Sequence, residues 1–285
     1  MSQRQKAKQL RRRKDHWLPQ GYLRGFIAPS RAKDPKPLSC FYRHTQQWES
    51  VSPREIAYGK GFYDYASGTD YSAVTHPDSV FARLEREFPQ RRDQMAVDQF
   101  TTWEPHRDFL LEFMQMMRAR SPLAMRQHEA DVRKMRGSKI TSVSPDGRAV
   151  TVDSLEPRPL PEHAVRNWTI SGVLQDVKNG IAWAGQLDWC LRYTLDENQP
   201  FCTTDQAIFV EGPVEGVSTV ADIGMELVFH PDSVVFFPLC WQACIFGSPR
   251  RFDTPYDRAH PQQLVSLRNT QKQRANRFLI APNAF

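Results

Sequence analysis

The sequence predicts an α+β fold, with a mixed or antiparallel sheet formed mainly by residues 188–246 and packed against several helices. Three observations predict it. Apolar residues recur at helical spacing between about residues 79 and 117, and again over 161–186. Short apolar runs separated by Pro, Gly and Asp then follow between 188 and 246. Helices thus precede strands, and a last helix closes the chain, an order that fits α+β better than alternating βαβ units. With 40% apolar residues and 17 Phe among 285 positions, the chain can bury a substantial core.

Taken in order, residues 1–14 form a basic tail and 15–285 one α+β domain. His16 to Ile27 is a compact polar-aromatic segment. Leu38–Tyr42 and Trp48–Val51 read as a hairpin turning at His44-Thr45-Gln46, and Tyr58–Tyr71 as irregular. Asp78 or Ser79 can cap a helix whose apolar face is Val80, Phe81, Leu84 and Phe88. Phe109, Leu110, Phe113, Met114, Met116 and Met117 give a largely buried helix that breaks at Arg120-Ser121-Pro122. Residues 137–158, with a Pro145-Asp146-Gly147 turn, suggest a small hairpin insertion. Pro161 to about Gln186 is a long helix with Val165, Trp168, Val173, Val177, Ile181 and Ala184 near one face. Its glycines Gly172, Gly180 and Gly185 imply a closely packed neighbour. Strands are expected at Asp188–Tyr193, Phe201–Thr203, Ala207–Val210, Glu226–His230, Val234–Phe237 and Ala243–Phe246, and a final helix at Pro261–Phe278.

The net charge of +6 is carried by the tail: Arg4, Lys6, Lys8, Arg11, Arg12, Arg13 and Lys14 stand there without an acid. Such a run is a candidate nucleic-acid contact, or simply a solvated extension. Asp15-His16-Trp17-Leu18-Pro19 follows it in place of the apolar core of a signal peptide, and the apolar run Val234–Leu239 is too short to cross a bilayer. A cytoplasmic location without membrane attachment is expected. The five cysteines show no Cys-x-x-Cys spacing. Cys190, Cys202 and Cys240 read as reduced core residues, and no metal site is expected.

Phosphate-loop, dinucleotide-turn, His-Glu-x-x-His and Gly-x-Ser-x-Gly signatures are absent. Two stretches stand out instead. His16-Trp17-Leu18-Pro19-Gln20-Gly21-Tyr22-Leu23-Arg24-Gly25-Phe26 brings an imidazole, an amide and a guanidinium within nine residues. Pro200-Phe201-Cys202-Thr203-Thr204-Asp205-Gln206 runs from a strand into hydroxyls and a carboxylate.

Both resemble the bacterial family called domain of unknown function 4238. Its pattern His-His-x-Val-Pro-Gln-x-Tyr-Leu-Arg-x-Phe is matched at His16, Pro19, Gln20, Tyr22, Leu23, Arg24 and Phe26. Its pattern Pro-Phe-Ile-Thr-Ser-Asp-Asn-Pro-Val is matched at Pro200, Phe201, Thr203 and Asp205. Weaker matches, among them Arg120-Ser121-Pro122, Phe237-Pro238-Leu239 and Asn269, extend the resemblance over roughly residues 14–280. Asp15, Thr204, Gln206 and Ala207 depart from the pattern. The family carries no established activity, and the resemblance implies at most an accessory or defence role.

Two function classes stay open. In the first, the chain is an enzyme acting on a nucleic acid or nucleotide. His16 is its acid/base, Asp205 the orienting group and Thr204 a candidate nucleophile or anion donor. Gln20, Arg24, Thr203 and Asn269 contact the substrate. In the second, the motifs are structural and the basic tail binds nucleic acid or protein. No cofactor follows from either, and oligomeric state is not legible.

Overall fold

The structure, a computed structural model, describes residues 14–65, 77–134, 140–143, 149–152, 160–212 and 230–284. The basic residues 1–13, the Pro145-Asp146-Gly147 turn and most of the strand expected at 226–230 lie outside them. The fold is α+β, as the pattern predicts.

The chain enters through β1 (Lys14–His16), which pairs antiparallel with β4 (Tyr58–Lys60). That short strand lies within the stretch expected to be irregular. Helix α1 (Gln20–Leu23) follows at once. The hairpin β2 (Leu38–Tyr42) and β3 (Gln47–Val51) forms as predicted, with Gln46 at φ 56° closing the turn on the Tyr42 carbonyl at 2.8 Å. Three helices come next: α2 (Pro77–Val97), α3 (Arg107–Ala119) and α4 (Pro122–Lys134). Phe81, Leu84 and Phe88 are buried in α2, but Val80 faces solvent. Helix α4 is an addition. Pro122 does not only end α3, since proline is well placed at the first position of a new helix, where its missing N–H leaves no bond unmade.

Strands β5 (Ile140–Val143) and β6 (Ala149–Val152) pair antiparallel at the predicted hairpin. Helix α5 (Glu162–Ala184) buries Val165, Val173, Val177 and Ala184, as expected. Trp168 and Ile181 are exposed at 36% and 41%, because the stripe that faces the core runs instead through Thr169, Ile170, Gly180 and Trp183. The glycines do mark close neighbours. A Cβ on Gly180 would lie 2.1 Å from Gln115 Oε1 of α3, and one on Gly172 3.3 Å from His128 Nδ1 of α4.

Two sheets complete the core. The first has the order β12-β7-β11-β10-β9, from β7 (Asp188–Tyr193), β9 (Phe209–Glu211), β10 (Val234–Cys240), β11 (Ala243–Ser248) and β12 (Tyr256–Arg258). All its pairs are antiparallel except β12 with β7. Pro238 is tolerated in central β10 because β9 pairs only as far as Phe236. The second sheet, β3-β2-β13-β8, joins the early hairpin to β8 (Thr203–Thr204) and β13 (Phe278–Ala281). It was not expected. The closing helix α6 (Pro261–Arg274) stops four residues short of the predicted end. Phe278-Leu279-Ile280-Ala281 is instead a fully buried strand between β2 and β8. A continuous apolar tetrapeptide buries both faces in a central strand, which a one-sided helix could not do.

One apolar cluster runs from Trp17 through the helices and both sheets to Ile280. No helix among the described residues is long and apolar enough to cross a membrane.

Candidate functional site

The two motifs meet in the core through a residue that looks like simple packing. Tyr22 on α1 is fully buried. Its ring stacks on Phe237 of β10 at 5.7 Å and lies 5.2–6.2 Å from Phe26, Phe88 and Phe113. Its hydroxyl donates to the Pro238 carbonyl at 2.9 Å and sits 2.8 Å from Thr203 Oγ1. With its one proton given to Pro238, the tyrosine accepts from Thr203. Burial pushes the phenol well above its ordinary pKa, so it stays neutral. Tyr22→Phe should lower the unfolding free energy by about 2 kcal/mol, because it leaves a buried hydroxyl and a buried carbonyl short of a partner. Urea denaturation measures it. A cost within experimental error of zero would mean that the aromatic cage alone holds the junction.

Thr203, Thr204 and Asp205 are all buried, at 0%, 0% and 1% exposure, and none lines a described cleft. Thr204 Oγ1 accepts from the Gln206 amide at 3.2 Å, closing a turn in which Ala207 has φ 59°. A proline, locked near −65°, could not sit there. Asp205 Oδ1 accepts from the amides of Asn276 and Arg277 at 3.1 and 3.2 Å. Burial raises its pKa, against the opposing pull of these backbone amides and those of Phe278 and Asp205 itself. The carboxylate therefore holds the entry to β13. Thr204 and Asp205, which the sequence offers as catalytic candidates, thus both have backbone partners and are buried.

The remaining candidates lie nearer the surface. His16 is half-buried, opposite Tyr58 in the β1–β4 pair, with ring centroids 5.6 Å apart. Gln20 is half-buried at the first turn of α1, while Arg24 and Asn269 are exposed on α1's end and on α6. All five cysteines are buried free thiols. Burial pushes Cys40 and Cys202 up to about 12 and Cys190 and Cys240 up to about 11, which suits packing and not nucleophilic chemistry. Among the described residues no group of three or more His, Cys, Asp or Glu side chains could hold a metal ion.

Two neighbouring clefts flank the first motif. One, of about 240 Å3, lies between α4, α5 and the segment after β4, and receives Arg126, Arg133, Arg166 and Arg277 with Glu129 and Glu162. Both acids pair with Arg133 at 2.8 Å. Arg166 donates to the carbonyls of Gly61, Phe62 and Asp64 at 2.7–3.0 Å, and burial lowers its pKa. The Arg277 guanidinium lies 5.3 Å from the Trp17 ring centroid. Arg126, Arg166 and Arg277 form no salt bridge among the described residues, although Asp64, Glu129 and Asp15 act on the Arg166 charge, and the cleft gathers these guanidinium groups and Arg133 around two carboxylates. The second cleft, of about 360 Å3, shares Arg277 and is walled by Tyr42, Tyr58 and Phe278, with His44 and Glu55 at its margin. A third, at the start of α6, is already satisfied: His260 caps the helix, and Arg192 pairs with Asp257 at 2.5 Å.

Sequence reasoning missed these arginines. Arg126 and Arg166 look like ordinary solvated helix positions, and Arg277 was assigned to a helix end. No local spacing links them.

Fold and cleft together define an α+β protein with an arginine-lined cleft beside its N-terminal motif. The chain belongs to the family described as Protein of unknown function (DUF4238), whose model matches residues 14–284. No curated protein and no solved structure matches the chain.

Proposed function

We propose that this protein binds a phosphate-bearing ligand in the cleft lined by Arg126, Arg166 and Arg277. The observation that carries the reading is the excess of guanidinium groups in the cleft: both of its carboxylates are engaged by Arg133, and Arg126, Arg166 and Arg277 form no salt bridge among the described residues. Arg166 is half-buried, hydrogen-bonded only to the backbone carbonyls of Gly61, Phe62 and Asp64, and its burial outweighs the pull of Asp64, Glu129 and Asp15, so an incoming anion would recover part of its desolvation cost. Guanidinium groups suit phosphate because their planar forks donate in pairs. The reading keeps the nucleotide or nucleic-acid ligand class expected from the sequence, and moves its contact away from Thr203–Asp205.

The test is calorimetric titration with inorganic pyrophosphate. Native protein should bind it with an affinity that falls as salt rises. The double variant Arg126→Ala/Arg277→Ala, both at exposed positions, should bind at least about tenfold more weakly, or about 1.4 kcal/mol, with an unchanged melting temperature. Equal binding by native protein and variant, or no binding by native protein, refutes the reading. Deleting residues 1–13 separates the alternative: if affinity resides in Arg4, Lys6, Lys8, Arg11, Arg12 and Arg13, the deletion and not the double variant removes it.

A further inference from the structure

We infer that the ligand is a nucleoside phosphate whose base, an amine-bearing purine, lies in the aromatic cleft beside the arginine cleft, with Arg277 between base and phosphate. The inference rests on the phosphate reading and adds what the rest of the ligand is.

Four observations lead to it. The two clefts are not separate sites, because Arg277 lines both. Its backbone is held from both sides: the amide donates to Asp205 at 3.2 Å, and the carbonyl accepts from the Arg43 amide at 2.9 Å. It is a fixed wall between two compartments, one of which carries charge and the other rings. The rings are those of Tyr42, Tyr58 and Phe278, with His44 edge-on to Tyr42 at 5.8 Å, and such an aromatic lining suits a flat heterocycle. The lining also carries Glu55, whose Oε2 accepts from the Ser52 amide at 3.1 Å and lies 4.0 Å from Lys36 Nζ. A base edge that presents N–H donors, as an amine-bearing purine does, satisfies such a carboxylate, and a purely apolar ring does not. At about 240 and 360 Å3, the two adjoining compartments together have the size of small-molecule pockets, which run roughly from 300 to 1,000 Å3.

The experiment compares guanosine 5′-monophosphate with ribose 5-phosphate, on the full chain, by calorimetry. The base should tighten binding by about tenfold, the usual scale of one stacked base. The exposed double variant His44→Ala/Glu55→Gln should lose most of that gain while keeping native affinity for pyrophosphate. If the two sugar phosphates bind equally and pyrophosphate still binds, the aromatic cleft is no base site, and the arginine cleft stands alone. If neither pyrophosphate nor either sugar phosphate binds, the phosphate reading and this inference fall together.

Discussion

Replacing Arg120 by alanine is expected to lower the unfolding free energy by about 3 kcal/mol, the low end of what removing one member of a buried ion pair costs. Arg120 is 3% exposed and closes the junction between α3 and α4. Its guanidinium pairs with Glu85 of α2, donates to the His16 carbonyl of β1, and donates to the Tyr63 hydroxyl at 3.2 Å. Tyr63 in turn donates to the Arg120 carbonyl at 2.7 Å, and the rings of Tyr63 and Phe81 lie 5.3 and 5.2 Å from the charge. The side chain thus ties the N-terminal strand to two helices and the segment after β4. Glu85 is 36% exposed and can be rehydrated when its partner goes, so the low end applies. The main losses are the bond from Arg120 to the His16 carbonyl and the vacated space between the rings. Arg120→Met, which restores the stem volume, should cost about half as much. Urea denaturation with an unchanged slope is the measurement. An alanine cost below about 1 kcal/mol would mean that the charge contributes nothing beyond its own burial.

The legible parts of this fold are those in which local pattern and final environment agree. Val234–Phe237 and Ala243–Phe246 are apolar runs, and they became part of β10, which continues through Pro238 to Cys240, and of β11 in the interior of a sheet. The second sheet was illegible because its strands come from residues 38–51, 203–204 and 278–281. Nothing local tells Phe278-Leu279-Ile280 that its neighbours are the hairpin strand Leu38–Tyr42, far earlier in the chain, and a two-residue strand. The candidate site was half legible for a similar reason. Polar side chains singled out Thr203, Thr204 and Asp205, yet polarity alone does not separate a substrate contact from a buried group that satisfies backbone. Tyr22 reads as a core aromatic, and only its hydroxyl, 181 residues from Thr203 in sequence, shows that it joins the two motifs. The cleft arginines come from α4, α5 and the approach to β13, so their convergence exists only in three dimensions.

Asp205 connects that architecture to the proposed function, and its variants separate two roles. Asp205→Ala is expected to cost about 3 kcal/mol, since two amides lose a charged acceptor in a buried setting. Asp205→Asn keeps a carbonyl oxygen for Asn276 and Arg277 and should cost about 1 kcal/mol. The sign of the pH dependence follows from the raised pKa. A carboxylate that holds its proton more tightly when folded adds stability below its unfolded value, near 4, and loses it as pH rises through the higher folded value. The gap between native protein and Asp205→Asn should therefore narrow or reverse over that interval as pH rises, because the amide does not ionise. Pyrophosphate binding adds the functional readout. If Asp205 acts by placing Arg277, the alanine variant should lose affinity as Arg277→Ala does, and the asparagine variant should keep it. A carboxylate that touched the ligand or exchanged a proton with His16 would make both variants equally defective. Asparagine can hold two amides in place, but it cannot replace a titrating acid.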